Sequence, residues 1–316
     1  MELRQLRHLA ALADFQNFQR AADAIGLSQS ALSRSIQTLE RDLDCELVDR
    51  QSREFRLTGQ GQLVLQHARR LLAGTRSLRN ELEQYNGLNA GELRFGCGPY
   101  PAQLLVPEAM ADFIRAHPAI DVGFLMGDWE QMAQLLKEDQ VEFFVGDARD
   151  FAGNPDYQVR WMEFRPGRFF CRAGHPLAAR QSLKLADLLD YPRVGTRIPP
   201  PLRKVLAEVI GERDFHMNVE CAQFAAILHI VARSDAVGLA AQEALHAPVQ
   251  RGEVALLSIG DIPQDRPELR LHYGIVSRAG YGLSPAAQAM VEAIFAADER
   301  LPRELPAAAP KPVQGA

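Results

Sequence analysis

The sequence predicts an all-helical N-terminal module, one long connecting helix and a C-terminal α/β module. Three observations carry that prediction. Residues 1–90 contain no proline and read as helix almost throughout, whereas from Gly91 short β-like runs alternate with helical stretches. Apolar residues between Val64 and Tyr85 recur at the spacing of a helical seam. Each candidate strand beyond Gly91 is followed by a glycine-containing turn, the texture of parallel α/β units.

Within the first module, Asn17 is placed to cap a short helix over residues 18–25 that stops at Gly26. Ser28 caps a second helix running from Gln29 to about Leu43. Two helices joined by a short glycine-containing turn form a helix-turn-helix. In the second helix Leu32, Ile36, Leu39 and Leu43 make one buried stripe. Ser30, Arg34, Gln37 and Arg41 fall on the opposite side, with Ser33 and Thr38 on its flanks. Short polar side chains with arginine suit a helix that hydrogen-bonds base edges in a major groove. An ordinary solvated face has the same pattern. Residues 48–57 then read as a β-hairpin carrying Arg50, Arg53 and Arg56. Three arginines so close together repel one another unless an anion lies between them, which points to phosphates or the minor groove.

Thr58 can cap the connecting helix, expected to run to about Tyr85. Val64, Ala68, Leu71, Thr75, Leu78, Leu82 and Tyr85 alternate spacings of 4 and 3. A seam this regular needs a partner, either a second copy or the chain's own α/β module. In that module the strand candidates are residues 95–97, 122–125 and 143–146, with helices over 104–116 and 130–138. The alternation continues through Val194, 205–210, 225–231 and 236–240. A Pro- and Ala-rich tail, 303–316, is expected to be disordered.

Composition narrows the function. No run of about 18 apolar residues exists, which argues against a membrane span. The first twenty residues are charged and amphipathic, so no signal peptide is expected. Cys45, Cys97, Cys171 and Cys221 are far apart and contain no CxxC, so neither a disulfide framework nor a local zinc finger is expected, and the cytoplasm is the default compartment. The net charge of −5 conceals an uneven distribution. Residues 50–79 hold seven Arg against the single acid Glu54, so one strongly basic stretch sits in an acidic protein.

These residues resemble the LysR-type transcriptional regulators. The matching stretches are Leu3-Arg4-Gln5-Leu6, Ala21-Ala22, Leu27 through Ile36, Leu39-Glu40-Arg41-Asp42-Leu43, Asp49-Arg50, and Leu57-Thr58 followed by Gly61. Ser30 stands where the family usually has Pro, and Val48 where Phe is commoner. Farther on, residues 91–96, 174–178 and 234–239 are similar to segments of the family's effector domain. The resemblance implies a winged helix-turn-helix over 1–58, a linker and dimerisation helix over 59–90, and a periplasmic-binding-protein-like effector domain over 91–302. That domain would comprise two α/β subdomains, 91–163 with 268–302, and 164–267. Implied partners are double-stranded promoter DNA with an interrupted palindromic site, a small-molecule effector, a second copy in a dimer or tetramer, and RNA polymerase. No enzyme activity, cofactor, metal or membrane association is implied.

On this reading Gln29, Ser30, Ser33, Arg34 and Gln37 contact DNA bases, with Arg50 and Arg53 on the backbone or in the minor groove. Val64, Ala68, Leu71, Leu78 and Leu82 serve dimerisation. Ligands of open α/β folds sit outside the carboxyl ends of strands. That rule selects Gly98, Pro99, Tyr100, Asp128, Trp129, Gly146, Thr196, Arg197, Gln223 and Phe224 as effector-binding residues. Arg197 could grip a carboxylate, and Tyr100 or Trp129 could form an aromatic wall. Many relatives carry Ser or Thr in the first turn; Pro99-Tyr100-Pro101 here points to a bulkier or less anionic ligand.

Other chemistries find little support. GxSxG, HExxH and Walker A motifs are absent, and Gly59-Gln60-Gly61 reads as a helix start rather than a cofactor loop. An enzyme would need acid, base or nucleophile residues converging at the strand ends, and a transport-type binding protein would need an export signal. Cys171 and Cys221 are the candidates for a peroxide-sensing pair, a role their separation disfavours.

Overall fold

The computed structural model describes residues 1–49, 55–84, 90–263, 266 and 270–301. Three helices open the chain, α1 (Leu3–Phe15), α2 (Phe18–Ala24) and α3 (Gln29–Leu43). Their boundaries have local causes. Asn17 Oδ1 accepts the Arg20 N–H at 3.0 Å and starts α2. Ser28 Oγ accepts the Ala31 N–H at 3.2 Å and starts α3. Between them Gly26 turns the chain at φ 69°, a conformation a β-carbon disfavours. Leu6, Leu9, Leu12, Ala21 and Ala22 close a core against Leu32, Ile36 and Leu39 of α3. His8 Nδ1 and Ser35 Oγ, 2.7 Å apart, tie α1 to α3.

Val48 and Leu57 pair in antiparallel fashion at the base of the expected hairpin. The Leu47 and Val48 N–H groups donate to the Glu40 carboxylate at 2.9 and 3.3 Å, fixing that base to α3. The tip, with Arg50 and Arg53, lies outside the described residues.

Helix α4 (Gly59–Gln84) starts at Thr58, whose Oγ1 accepts the Gly61 N–H at 2.9 Å. A β-carbon on Gly61 would lie 2.0 Å from the Leu47 carbonyl oxygen, so only glycine lets the helix start this close to the hairpin. The first half of α4 belongs to the N-terminal core: Ala68 and Leu72 are buried in it, and Arg69 pairs with Asp14 of α1 at 2.6 Å. This corrects the expected seam. Ala68 has no surface left for a second copy, and Val64 is half-buried on the same side. Leu71, Leu78 and Leu82 remain 48%, 61% and 62% exposed. A 3–4 spacing describes a core-facing stripe as well as an intermolecular seam, and the first half of α4 uses it for the core.

The α/β module runs β1 (Glu92–Cys97), α5 (Leu105–Ala116), β2 (Asp121–Met126), α6 (Trp129–Lys137), β3 (Phe143–Asp147), β4 (Tyr157–Trp161), β5 (Arg165–Arg172) and β6 (Arg193–Gly195). It continues through α7 (Pro200–Ile210), β7 (Val219–Glu220), α8 (Phe224–Ala232), β8 (Val237–Ala241), α9 (Gln242–Gln250), β9 (Val254–Leu256), β10 (Arg270–Leu271), β11 (Tyr273–Arg278) and α10 (Pro285–Arg300). Two sheets form, in the orders β2-β1-β3-β11-β4 and β10-β5-β8-β6-β7, with β9 also pairing β5. Strands β1, β2 and β3 are parallel, and β11 runs antiparallel between β3 and β4. The chain passes from the first sheet to the second between β4 and β5, and returns between β10 and β11.

Phe95 and Phe143 of the first sheet pack with Phe113 of α5 and Met290 of α10. Phe169, Leu206, Phe215 and Met217 lie in the core of the second. At the crossing, Arg165 and Asp298 form a buried ion pair that fixes the start of β5 to the end of α10. Among the described residues no helix is long and apolar enough to cross a membrane.

Candidate functional site

On α3, Gln29, Ser30, Arg34 and Gln37 are exposed and Ser33 is half-buried at the edge of the same face. The backbone carbonyls of this face are already engaged by its own side chains. Arg34 Nε donates to the Ser30 carbonyl at 3.3 Å, and Thr38 Oγ1 to the Arg34 carbonyl at 2.9 Å. The hydroxyl, amide and guanidinium groups thus stand on a rigid helix whose opposite stripe is fully buried, the geometry of groove readout.

A second site lies between the two sheets. A cavity of about 320 Å³ opens at the carboxyl ends of β1, β2, β3, β6 and β7. Eight of the expected residues line it: Gly98, Pro99, Tyr100, Asp128, Trp129, Gly146, Thr196 and Arg197. Tyr100 spans the two halves. Its hydroxyl donates to the Leu239 carbonyl at 2.7 Å and accepts from Thr196 Oγ1 at 3.2 Å, and its ring meets Phe224 edge-on. Burial pushes the Tyr100 hydroxyl up to about 12, so it remains a neutral donor.

Arg197 makes the second bridge across the cleft, and this revises its expected role. Its guanidinium donates to Glu130 at 2.7 Å, lies 3.7 Å from Asp128 and sits over the Trp129 ring. The hydrogen bond to Glu130, and that carboxylate's charge, hold the guanidinium pKa above its ordinary value. The expected carboxylate grip is therefore already filled by the protein's own acids. Asp147, also on the lining, is held by Arg149, whose Nε donates to both carboxylate oxygens at 2.8 and 3.1 Å.

Two expected residues stay outside the lining. The β7 strand is only two residues long and the chain turns at Cys221 and Ala222, which take the lining positions. Helix α8 then begins with Phe224 facing its own core, and Gln223 exposed at its N-cap. Conversely, Phe169, Leu202, Leu206, Met217, Leu239 and Tyr273 line the cavity without having been singled out. Leu202 and Leu206 carry only the signal of an amphipathic helix stripe. Tyr273 could have been found by extending the strand-end rule: β11 is antiparallel, so its first residue lies at the edge where β3 ends. The thiols of Cys97 and Cys171 are buried and pushed up to about 12, whereas Cys221 is half-buried at the cavity.

Comparison with known proteins assigns a family to each module. Residues 3–62 match the family described as "Bacterial regulatory helix-turn-helix protein, lysR family", and residues 86–298 match the "LysR substrate binding domain". The chain is 44% identical over 305 residues to the "SDS degradation transcriptional activation protein" of Pseudomonas sp., covering 95% of this chain and 98% of that protein. In fold it is similar to a full-length OxyR variant from Pseudomonas aeruginosa, with a TM-score of 0.65, 21% identity and 95% of each chain covered. It is likewise similar to full-length CbnR complexed with target DNA, with a TM-score of 0.66, 20% identity and coverage of 94% of this chain and 100% of that one. The relatives are transcriptional regulators rather than enzymes. The chain accordingly belongs to the LysR family of bacterial helix-turn-helix transcriptional regulators.

Proposed function

We propose that this regulator binds promoter DNA as a homodimer, assembling further to a tetramer, in the cytoplasm. Residues 1–58 read the DNA, 59–90 link and dimerise, and 91–302 hold the effector. Gln29, Ser30, Ser33, Arg34 and Gln37 contact bases, and Arg50 and Arg53 contact phosphates or the minor groove. Leu71, Leu78 and Leu82 meet their counterparts on a second copy. By analogy with the 44% identical activator of SDS degradation, the outcome is activation, with RNA polymerase as the downstream partner. A small molecule between the two sheets favours one assembly over another and so shifts their populations.

The observation that carries this reading is the α3 surface, where a polar face of Gln29, Ser30, Arg34 and Gln37 stands exposed opposite a buried Leu32, Ile36 and Leu39. Gel-shift titration against the promoter beside its own gene tests it. Arg34→Ala is expected to narrow the discrimination between operator and random DNA by about 1–3 kcal/mol. Arg53→Ala should weaken binding to both and flatten the salt dependence. If both variants bind operator like the parent, the mapping fails.

A further inference from the structure

The cavity between the sheets has walls that restrict the chemistry of its occupant. Phe169, Ile198, Leu202, Leu206, Met217 and Leu239 supply a largely apolar surface. The charged groups on the lining are already committed. Arg197 is held by Glu130 and Asp128, and Asp147 by Arg149. Asp128 also accepts the Gln131 N–H at 2.9 Å as the cap of α6. Glu220 is exposed, and its field falls on Arg197 and Arg203. A ligand anion would find its cation, Arg197, already paired, and a ligand cation would find only the exposed, solvated Glu220, so a charge carried inward would lose its hydration with little compensation. The carboxylates at the mouth are acceptors only, so a polar headgroup facing them must carry a donor hydrogen.

From these walls we infer that the cleft takes an uncharged aliphatic alcohol of medium chain length, and selects it over the matching carboxylate, sulfate ester or amine. This rests on reading the cleft as the effector site. A methylene fills about the volume of a water molecule, roughly 30 Å³, so 320 Å³ accommodates on the order of ten carbons. The chain lies against the leucine and methionine walls from α7 and the strand edges. The hydroxyl sits near the mouth, within reach of Asp128 or Thr196. An alkyl carboxylate or sulfate would face the acids of the mouth, and the one arginine there is already occupied. An alkylammonium would find Asp128, Glu130 and Asp147 engaged by Arg197, Arg149 and the α6 cap, and only Glu220, already solvated, to meet it.

Fluorescence of Trp129, read in full-length protein carrying Trp161→Phe, tests this with 1-decanol, decanoate, decyl sulfate and decylamine, each below its micelle threshold. Decanol is expected to bind about tenfold or more tighter than each charged counterpart. Between hexanol and decanol, affinity should rise about fourfold per methylene and then level off beyond the cavity's capacity. Leu239→Glu should lose decanol and gain decylamine, and Ala222→Phe, which fills the mouth from an exposed position without adding a second tryptophan, should lose every alcohol. Thermal melts of both variants establish that they are folded. Tighter binding of decanoate, decyl sulfate or decylamine by the parent overturns the inference, as does absence of the chain-length trend. Operator gel shifts run in parallel separate the two readings. Retained DNA binding with no alcohol binding defeats only the ligand class, whereas absence of operator binding defeats the regulator reading itself.

Discussion

Gln84 and Ala286, 202 positions apart, are joined by a hydrogen bond in which the side-chain carbonyl of Gln84 accepts the Ala286 N–H at 2.9 Å. The same side chain donates to the Glu92 carbonyl at 3.0 Å, and one turn earlier Asn80 Oδ1 accepts the Glu92 N–H at 2.7 Å. Two amides on the last turns of α4 thus clamp the linker to the start of β1 and the N-terminus of α10. Gln84 is 1% exposed, so water cannot replace it at the Ala286 N–H, whereas the Glu92 carbonyl also accepts from Asn80 Nδ2 at 2.6 Å. Gln84→Leu should cost about 1–3 kcal/mol, seen as a lower Tm and faster exchange of the Ala286 amide. Operator affinity should survive, and the promoter's response to ligand should fall if this clamp, which fixes α4 to β1 and α10, carries the coupling.

The two halves of α4 should respond differently to the same substitution. Leu78→Glu and Leu82→Glu put a charge on exposed apolar positions and should shift light-scattering mass from dimer to monomer with little change in Tm. Ala68→Glu buries an unpaired carboxylate in the N-terminal core and should unfold that module instead, with loss of helical signal.

That contrast shows how far the sequence reaches. The start of α3 and the turn before it are legible because Ser28 and Gly26 act through local backbone chemistry. The strand ends around Gly98, Asp128 and Thr196 are legible because a parallel sheet gathers them at one edge. Ala68 is misread because core packing and coiled-coil packing impose the same period. The commitment of Arg197 is hidden because Glu130 lies 67 positions away and only the closed cleft brings the two together. Met217 and Leu206 as cavity walls carry no local signature at all; any buried apolar residue of a second sheet looks the same.

Acid should loosen the N-terminal module through His8. Burial, with Arg4 and Arg7 nearby, lowers its pKa below the ordinary histidine value of 6.5, so the native state binds the proton less readily than the unfolded chain does. Its contribution is therefore present above the unfolded value and is lost as pH falls through it. Thermal melts should show a lower Tm at about pH 5 than at about pH 7.5, and His8→Gln should shrink that difference.

Tyr100→Phe removes both hydrogen bonds across the cleft while leaving the ring against Phe224. The Leu239 carbonyl and Thr196 hydroxyl lose their partner, at about 0.5–1.5 kcal/mol for each bond. Small-angle scattering of the variant should report a more open effector domain, and Arg197→Ala should widen it further.

Those two bridges also set a clock. If a molecule held between the sheets leaves by parting of the cleft, Tyr100 must separate from Leu239 and Arg197 from Glu130, and residence time then follows the rate of parting rather than wall affinity alone. The Arg197 pair is exposed and yields to salt, while the Tyr100 bond is sheltered and does not. Ionic strength therefore speeds exchange only up to the limit Tyr100 imposes. A promoter under this regulator would keep a brief memory of its signal after the signal has gone.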